Sequence, residues 1–268
     1  MDVREYAARI YRYFKYLSEP ETNVRARKLA RAYCIAEGYK RIYHYHIPKT
    51  GGTSLNRIFL SLGGMDSGAI YDRLNRNRNH RVISGDKVFV GWNPKLIQSG
   101  DYFFGFSHRP MHKLRIPDKT FTVTSLREPS SRVISLYRML RHYSENEIPH
   151  AGLKAQIARL GNNFGEYLDR APRSEILGQL YMFSEGLDVE EALENISLCT
   201  YVILLEDFDE GLRELSVKVG IPLEPMHTRR LANEVDISSA EKKRLREYLE
   251  PEYQLMSRHK AISKGSGN

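Results

Sequence analysis

The chain has 268 residues, 41% of them hydrophobic and 28% charged, which bounds it to one large domain or two small ones with a substantial core. A formal charge of +8 fits either an anionic ligand or partner, such as a nucleotide, an acidic glycan or nucleic acid, or plain solubility. Cys34 and Cys199 lie far apart without metal-ligand spacing, so they read as buried thiols rather than a disulfide framework.

No apolar run approaches the length of a membrane span, and the start Met1-Asp2-Val3-Arg4-Glu5-Tyr6 has no apolar core of a signal peptide. The expectation is a cytoplasmic protein. Residues 3 to 37 read as a helical pair. Tyr6, Ile10, Tyr13, Phe14 and Leu17 share one face, Pro20 breaks the pattern, and Val24 to Glu37 runs to Gly38. Residues 1–39 are therefore taken as a helical N-terminal extension and 40–268 as the main domain.

Residues 41 to 56 hold the most informative stretch. Arg41 to Ile47 suits a buried strand, and Pro48 takes the chain out of the sheet. Gly51 and Gly52 permit backbone conformations closed to other residues, and Thr53 or Ser54 can cap a helix continuing through Leu55, Ile58, Phe59 and Leu62. A glycine loop with a lysine before a helix start is either an anion site or an ordinary strand-to-helix turn. It differs from the Walker loop of ATPases, because Lys49 precedes both glycines.

A polar, basic stretch from Asp66 to Asp86, with Arg73, Arg76, Arg78 and Arg81, reads as a long loop. Strands are predicted at 87–90, at 101–106 running into Ser107-His108-Arg109-Pro110, and at 120–126, the last with the profile of a buried parallel strand. That strand ends in Arg127-Glu128-Pro129, and a helix is predicted from Ser130 to about Tyr143. Mostly helical sequence from 151 to 196, a strand at 200–205, a helix to Val219 and a last helix from Ser238 to about Lys260 complete the pattern. Strands alternating with helices predict an α/β fold with a parallel sheet and ligands at the strand carboxyl ends.

The order Pro48-Lys49-Thr50-Gly51-Gly52-Thr53-Ser54 after a strand resembles the 5′-phosphosulfate loop of sulfotransferases that use 3′-phosphoadenosine 5′-phosphosulfate (PAPS). It is similar to the carbohydrate branch related to heparan sulfate 2-O- and 6-O-sulfotransferases. Arg127, followed by Ser135 two helical turns into the next helix, resembles the same family's 3′-phosphate motif, with Glu128 where most members carry Asp. The segments 192–195 and 201–208 look like the family's late strand and helix, and Arg229 to Asn233 resembles its adenosine-covering segment. The resemblance spans about residues 40 to 256 and implies a P-loop-NTPase-like parallel sheet.

It further implies transfer of a sulfuryl group from PAPS to an acceptor hydroxyl of a carbohydrate or small natural product, with 3′-phosphoadenosine 5′-phosphate (PAP) as product and no metal. Lys49 would assist at the bridging oxygen, and Thr50, Gly51, Gly52, Thr53 and Ser54 would hold the 5′-phosphate. Arg127 and Ser135 would hold the 3′-phosphate, with Arg229 and Asn233 over the adenosine. His108 stands where family members carry a basic histidine, although Ser107 replaces the usual Gly before it; His112 is the reserve. His44 and His46 are assigned to the core or a sheet face. The competing readings are a P-loop nucleotide or sugar kinase and a non-catalytic binder of an acidic polymer using Arg73 to Arg81. Neither nucleic acid binding nor a membrane span is expected.

Overall fold

The computed structural model describes residues 20–148, 150–226 and 235–265. It begins with α1 (Pro20–Ala32), β1 (Arg41–Tyr45), α2 (Gly52–Ser61) and α3 (Ser67–Arg76). The hairpin of β2 (Val82–Ser84) and β3 (Lys87–Gly91) follows, then α4 (Pro94–Ser99), β4 (Phe104–Ser107) and β5 (Thr120–Leu126). Next come α5 (Pro129–Glu145) and the short helices α6 (Lys154–Ile157), α7 (Phe164–Arg170), α8 (Arg173–Ile176) and α9 (Gly178–Phe183). The chain closes with α10 (Val189–Ser197), β6 (Tyr201–Leu204), α11 (Phe208–Val219), α12 (Ser239–Tyr248) and α13 (Glu250–Gly265).

Among the described residues the strands form one six-stranded sheet in the order β2-β3-β4-β1-β5-β6. Only the β2–β3 pair is antiparallel; the remaining neighbours run parallel. Every residue of β5 is buried, as the run Thr120-Phe121-Thr122-Val123-Thr124-Ser125-Leu126 requires of a strand covered on both faces. β1 sits centrally, with Tyr45 opposite Ser107 on one side and Thr124 on the other. Its side chains alternate. His44 and His46 stack on one face beside Phe106, while Tyr43 and Tyr45 pack edge-to-face on the other, where Tyr45 meets Phe183.

This order puts the carboxyl ends of β4, β1 and β5 side by side, with chain leaving β1 between its two neighbours. Crossovers that turn opposite ways from adjacent strands open a crevice there, the usual ligand position of open α/β sheets.

Several expectations are corrected. The stretch 66–86 is ordered: Asp66 accepts a hydrogen bond from Ala69 N–H at 2.7 Å, starting α3, and Ile70 and Leu74 bury one helical face. The segment predicted from Val24 to Glu37 is the helix α1, which opens at Pro20 and stops at Ala32, short of Glu37. The last predicted helix is two, since the chain breaks at Leu249 before Pro251. Cys199 is buried, and desolvation pushes its thiol up to about 12, but Cys34 is exposed. Among the described residues no helix is long and apolar enough to cross a membrane, and no group of His, Cys, Asp or Glu is arranged to hold a metal. Residues 1–19, including the helical face from Tyr6 to Leu17, lie outside the described residues.

Candidate active site at the carboxyl ends of the strands

The loop after β1 is shaped from inside. The Thr50 hydroxyl donates to Ile47 O at 2.9 Å and lies 3.0 Å from the Ser125 hydroxyl of β5, fully buried. Thr50 therefore pins the loop to the neighbouring strand, and only its backbone is left to meet a ligand. Lys49 takes φ 73° and Gly51 φ 82°. For a lysine that left-handed conformation costs about 1–2 kcal/mol, so the surrounding bonds must hold it.

Gly52 answers a different constraint. A Cβ there would lie 2.1 Å from His46 Cδ2, 2.5 Å from His46 Nε2 and 2.9 Å from His44 Cε1. The first turn of α2 thus rests directly on two buried imidazoles. Its cap residue, Gly51, offers no side-chain cap, whereas α3, α5, α10 and α12 are closed by Asp66, Glu128, Asp188 and Ser238. The first amides of α2 keep the partial positive charge that attracts anions.

Asn56, one turn into α2, sets the protons on those imidazoles. Its Oδ1 lies 2.7 Å from His44 Nδ1, and its Nδ2 lies 3.2 Å from His46 Nδ1. An amide oxygen only accepts and an amide nitrogen only donates, so His44 carries its proton on Nδ1 and His46 on Nε2. Both rings are neutral at pH 7. Desolvation, partly offset by the bond to Asn56, lowers His44 from 6.5 to about 4. His46 is held well below 6.5 by burial first, then by the nearby His108, His44 and Lys49.

The His46 ring meets His108 at 4.5 Å, and His108 meets Trp92 at 4.7 Å. Desolvation, and then the His44 and Arg78 groups, lowers the His108 pKa. The residue is exposed at the surface, which softens the desolvation, and the ring is a neutral proton acceptor at pH 7. Ser107 explains how the turn tolerates a residue larger than Gly: its hydroxyl pairs with Tyr43 Oη at 2.7 Å and accepts from Arg109 N–H at 3.1 Å. Arg78 lies over the Trp92 ring at 5.3 Å, and the Trp92 indole donates to Asn75 at 2.9 Å. The Tyr71 hydroxyl lies beside Thr53 and Asn75, so Thr53 borders this aromatic wall. His112 stands apart, against Tyr181 of α9 and 3.9 Å from Glu185.

Arg127 brings the second motif into contact with the first. Its guanidinium donates to Lys49 O at 3.2 Å. The Lys49 ammonium lies 3.6 Å from Met139 Sδ, one turn beyond Ser135 on α5, so half-buried Ser135 shares the helix face that Lys49 approaches. Burial, and then the charge of Arg127, lowers the Lys49 pKa. An anion in this half-buried crevice would offset the charge of both side chains. Glu128 caps α5, accepting from Ser130 N–H at 3.1 Å, from Ser131 N–H at 2.6 Å and from the Tyr253 hydroxyl.

The structure thus gathers Lys49, Thr50, Gly51, Gly52, Thr53, Ser54, His108, Arg127 and Ser135 around the ends of β1, β4 and β5. Arg229 and Asn233 fall outside the described residues. His44 and His46 are buried on one face of the sheet, as expected, but sequence reasoning missed Asn56, the polar residue one turn past the loop that bonds both. A separate cavity of about 500 Å³ beside α1, lined by Val24, Arg27, Lys28, Arg31 and Ala32, holds none of these groups. No protein-family model and no curated protein matches the chain, so its functional reading rests on this geometry and on the motifs.

Proposed function

We propose that this protein is a PAPS-dependent sulfotransferase with a P-loop-like sheet, acting on an acceptor hydroxyl. The observation that carries the proposal is the hydrogen bond from Arg127 to the Lys49 carbonyl, which makes the two anion-binding motifs one continuous surface. A donor with phosphate groups on both sides of one ribose needs such a pair of cradles. The uncapped amides of α2 and the Thr53 and Ser54 region suit the 5′-phosphate. Arg127, with its planar fork, and Ser135 suit the 3′-phosphate.

PAPS supplies an activated sulfuryl group: the acceptor oxygen bonds to sulfur as the bond to the bridging phosphate oxygen breaks, and PAP departs with that electron pair. Lys49 sits at the loop crest, where its charge would offset the negative charge that builds on the bridging oxygen. An anion between Lys49 and Arg127 relieves their repulsion and raises the lowered Lys49 pKa, which keeps the ammonium protonated during transfer. His108 accepts the hydroxyl proton, and a neighbouring anion raises its basicity toward neutrality. His46 and Trp92 hold the His108 ring.

Calorimetric titration with PAP, against ATP with magnesium, tests the proposal. PAP should bind without a divalent ion and more tightly than ATP. Absent PAP binding, or magnesium-dependent ATP hydrolysis, would overturn it.

A further inference from the structure

Behind Arg127 lies a buried polar network that the proposed chemistry does not use. Gln179, fully buried on α9, grips the backbone of Arg127 from both sides. Arg127 N–H donates to Gln179 Oε1 at 2.8 Å, and Gln179 Nε2 donates to Arg127 O at 3.0 Å. The second Nε2 proton goes to Glu252 Oε2 at 3.0 Å. Every donor and acceptor of that amide is therefore committed, which leaves it one orientation.

Glu252 on α13 is itself fully buried. Its Oε1 accepts from Gln179 N–H at 2.7 Å and from Leu180 N–H at 3.3 Å. Arg132 of α5, 1% exposed, lies 3.7 Å from Glu252 Oε2 and donates to the carbonyls of Glu175 and Ile176. A buried carboxylate held by backbone amides and a guanidinium is costly to assemble and costly to break. The chain spends this arrangement on the backbone of one residue, the one whose side chain reaches Lys49.

We infer that Gln179 is a positioning residue for 3′-phosphate recognition, fixing the Arg127 peptide so that its guanidinium is aimed before any ligand arrives. The inference rests on the sulfotransferase reading of the site. β5 ends at Leu126, so beyond it no strand partner sets the Arg127 backbone; the Gln179 amide replaces the ladder bonds that the strand has lost. Without it the Arg127 N–H and carbonyl lose their partners, leaving the Glu128 N–H bond to Glu206 at 2.7 Å to hold that peptide alone, and a long side chain amplifies a small rotation into a misplaced charge. Functional groups need support of this kind to stay within tolerance of their ligand.

The test compares PAP with adenosine 5′-monophosphate, which lacks the 3′-phosphate, by calorimetry on the full chain. Gln179→Met keeps the volume and removes both bonds to Arg127. It should weaken PAP binding about tenfold, the order expected for one misaligned charge-assisted hydrogen bond, and leave the monophosphate within about twofold. In an Arg127→Ala background the same change should cause no further loss of PAP. Equal loss of both nucleotides, no loss, or full additivity with Arg127→Ala would each overturn the inference alone. Failure of the unmodified protein to bind PAP would overturn the functional reading and the inference together. Should Gln179→Met not fold, Glu252→Gln, which turns a donor toward the Gln179 amide, is measured the same way and should show the same selective loss of PAP.

Discussion

Gly52→Ala probes the contact on which the loop is built. The added methyl would overlap His46 Cδ2 at 2.1 Å and Nε2 at 2.5 Å, and would crowd His44 Cε1 at 2.9 Å. Neither ring can swing away cheaply, since Asn56 bonds both and His108 packs against the outer one. Overpacking a filled core costs about 1–3 kcal/mol, while replacing a helical Gly by Ala returns roughly 0.5–1 kcal/mol. Because the overlap is deep and the neighbours are rigid, a net loss of about 2 kcal/mol is expected. Urea unfolding followed by circular dichroism measures it, with PAP titration on the same samples, because a lifted α2 no longer aims its amides. In a His46→Ala background the ring is gone, and the cost should fall below about 1 kcal/mol. Gly64→Ala is a useful contrast: φ is 78° but no atom lies within 4 Å, so its cost is backbone strain of about 1 kcal/mol without loss of PAP binding. A Gly52→Ala protein as stable as the original within about 0.5 kcal/mol, or equally destabilised with and without His46, would refute the reasoning.

Lys49→Ala should abolish transfer, and His108→Ala should keep PAP affinity while losing transfer by about 100-fold or more, the usual worth of a general base; near-normal rates in His108→Ala would remove that histidine from the chemistry. Glu252→Ala leaves Arg132 buried without its carboxylate and should cost about 3–5 kcal/mol in urea unfolding. For pH, the sign follows from His44, which titrates at about 4 folded against 6.5 unfolded. The unfolded chain binds the proton more tightly, so stability is fully present above pH 6.5 and falls as pH drops toward 4, by about 3 kcal/mol from this group. His44→Gln should flatten that part of the stability profile, and an unchanged slope would show that His44 is not its source.

The run of β-branched and aromatic residues at 120–126, and the strand, Pro48 and two glycines at 41–52, made the central strands and the loop legible in the amino-acid order, because burial on both faces and left-handed turns each demand particular residues. Boundaries were less legible where packing overrode local pattern. The stretch 66–86 looked like a polar loop, yet Ile70 and Leu74 with the Asp66 cap were enough to order α3. The candidate site divides in the same way. Lys49, the glycines, Arg127 and His108 could be named from motifs, since each sits at a predicted strand end.

What no linear pattern could supply is which of those ends become neighbours, and what lies behind them. The sheet order sets β1 between β4 and β5, and only that pairing lets Arg127 reach Lys49 and His108 reach His46. The supports arrive from farther away still: Gln179 and Glu252 join the site from helices remote in sequence. A buried amide or carboxylate has no periodicity to announce it, because its place is fixed by the partners that satisfy it, and those partners meet only in the folded chain.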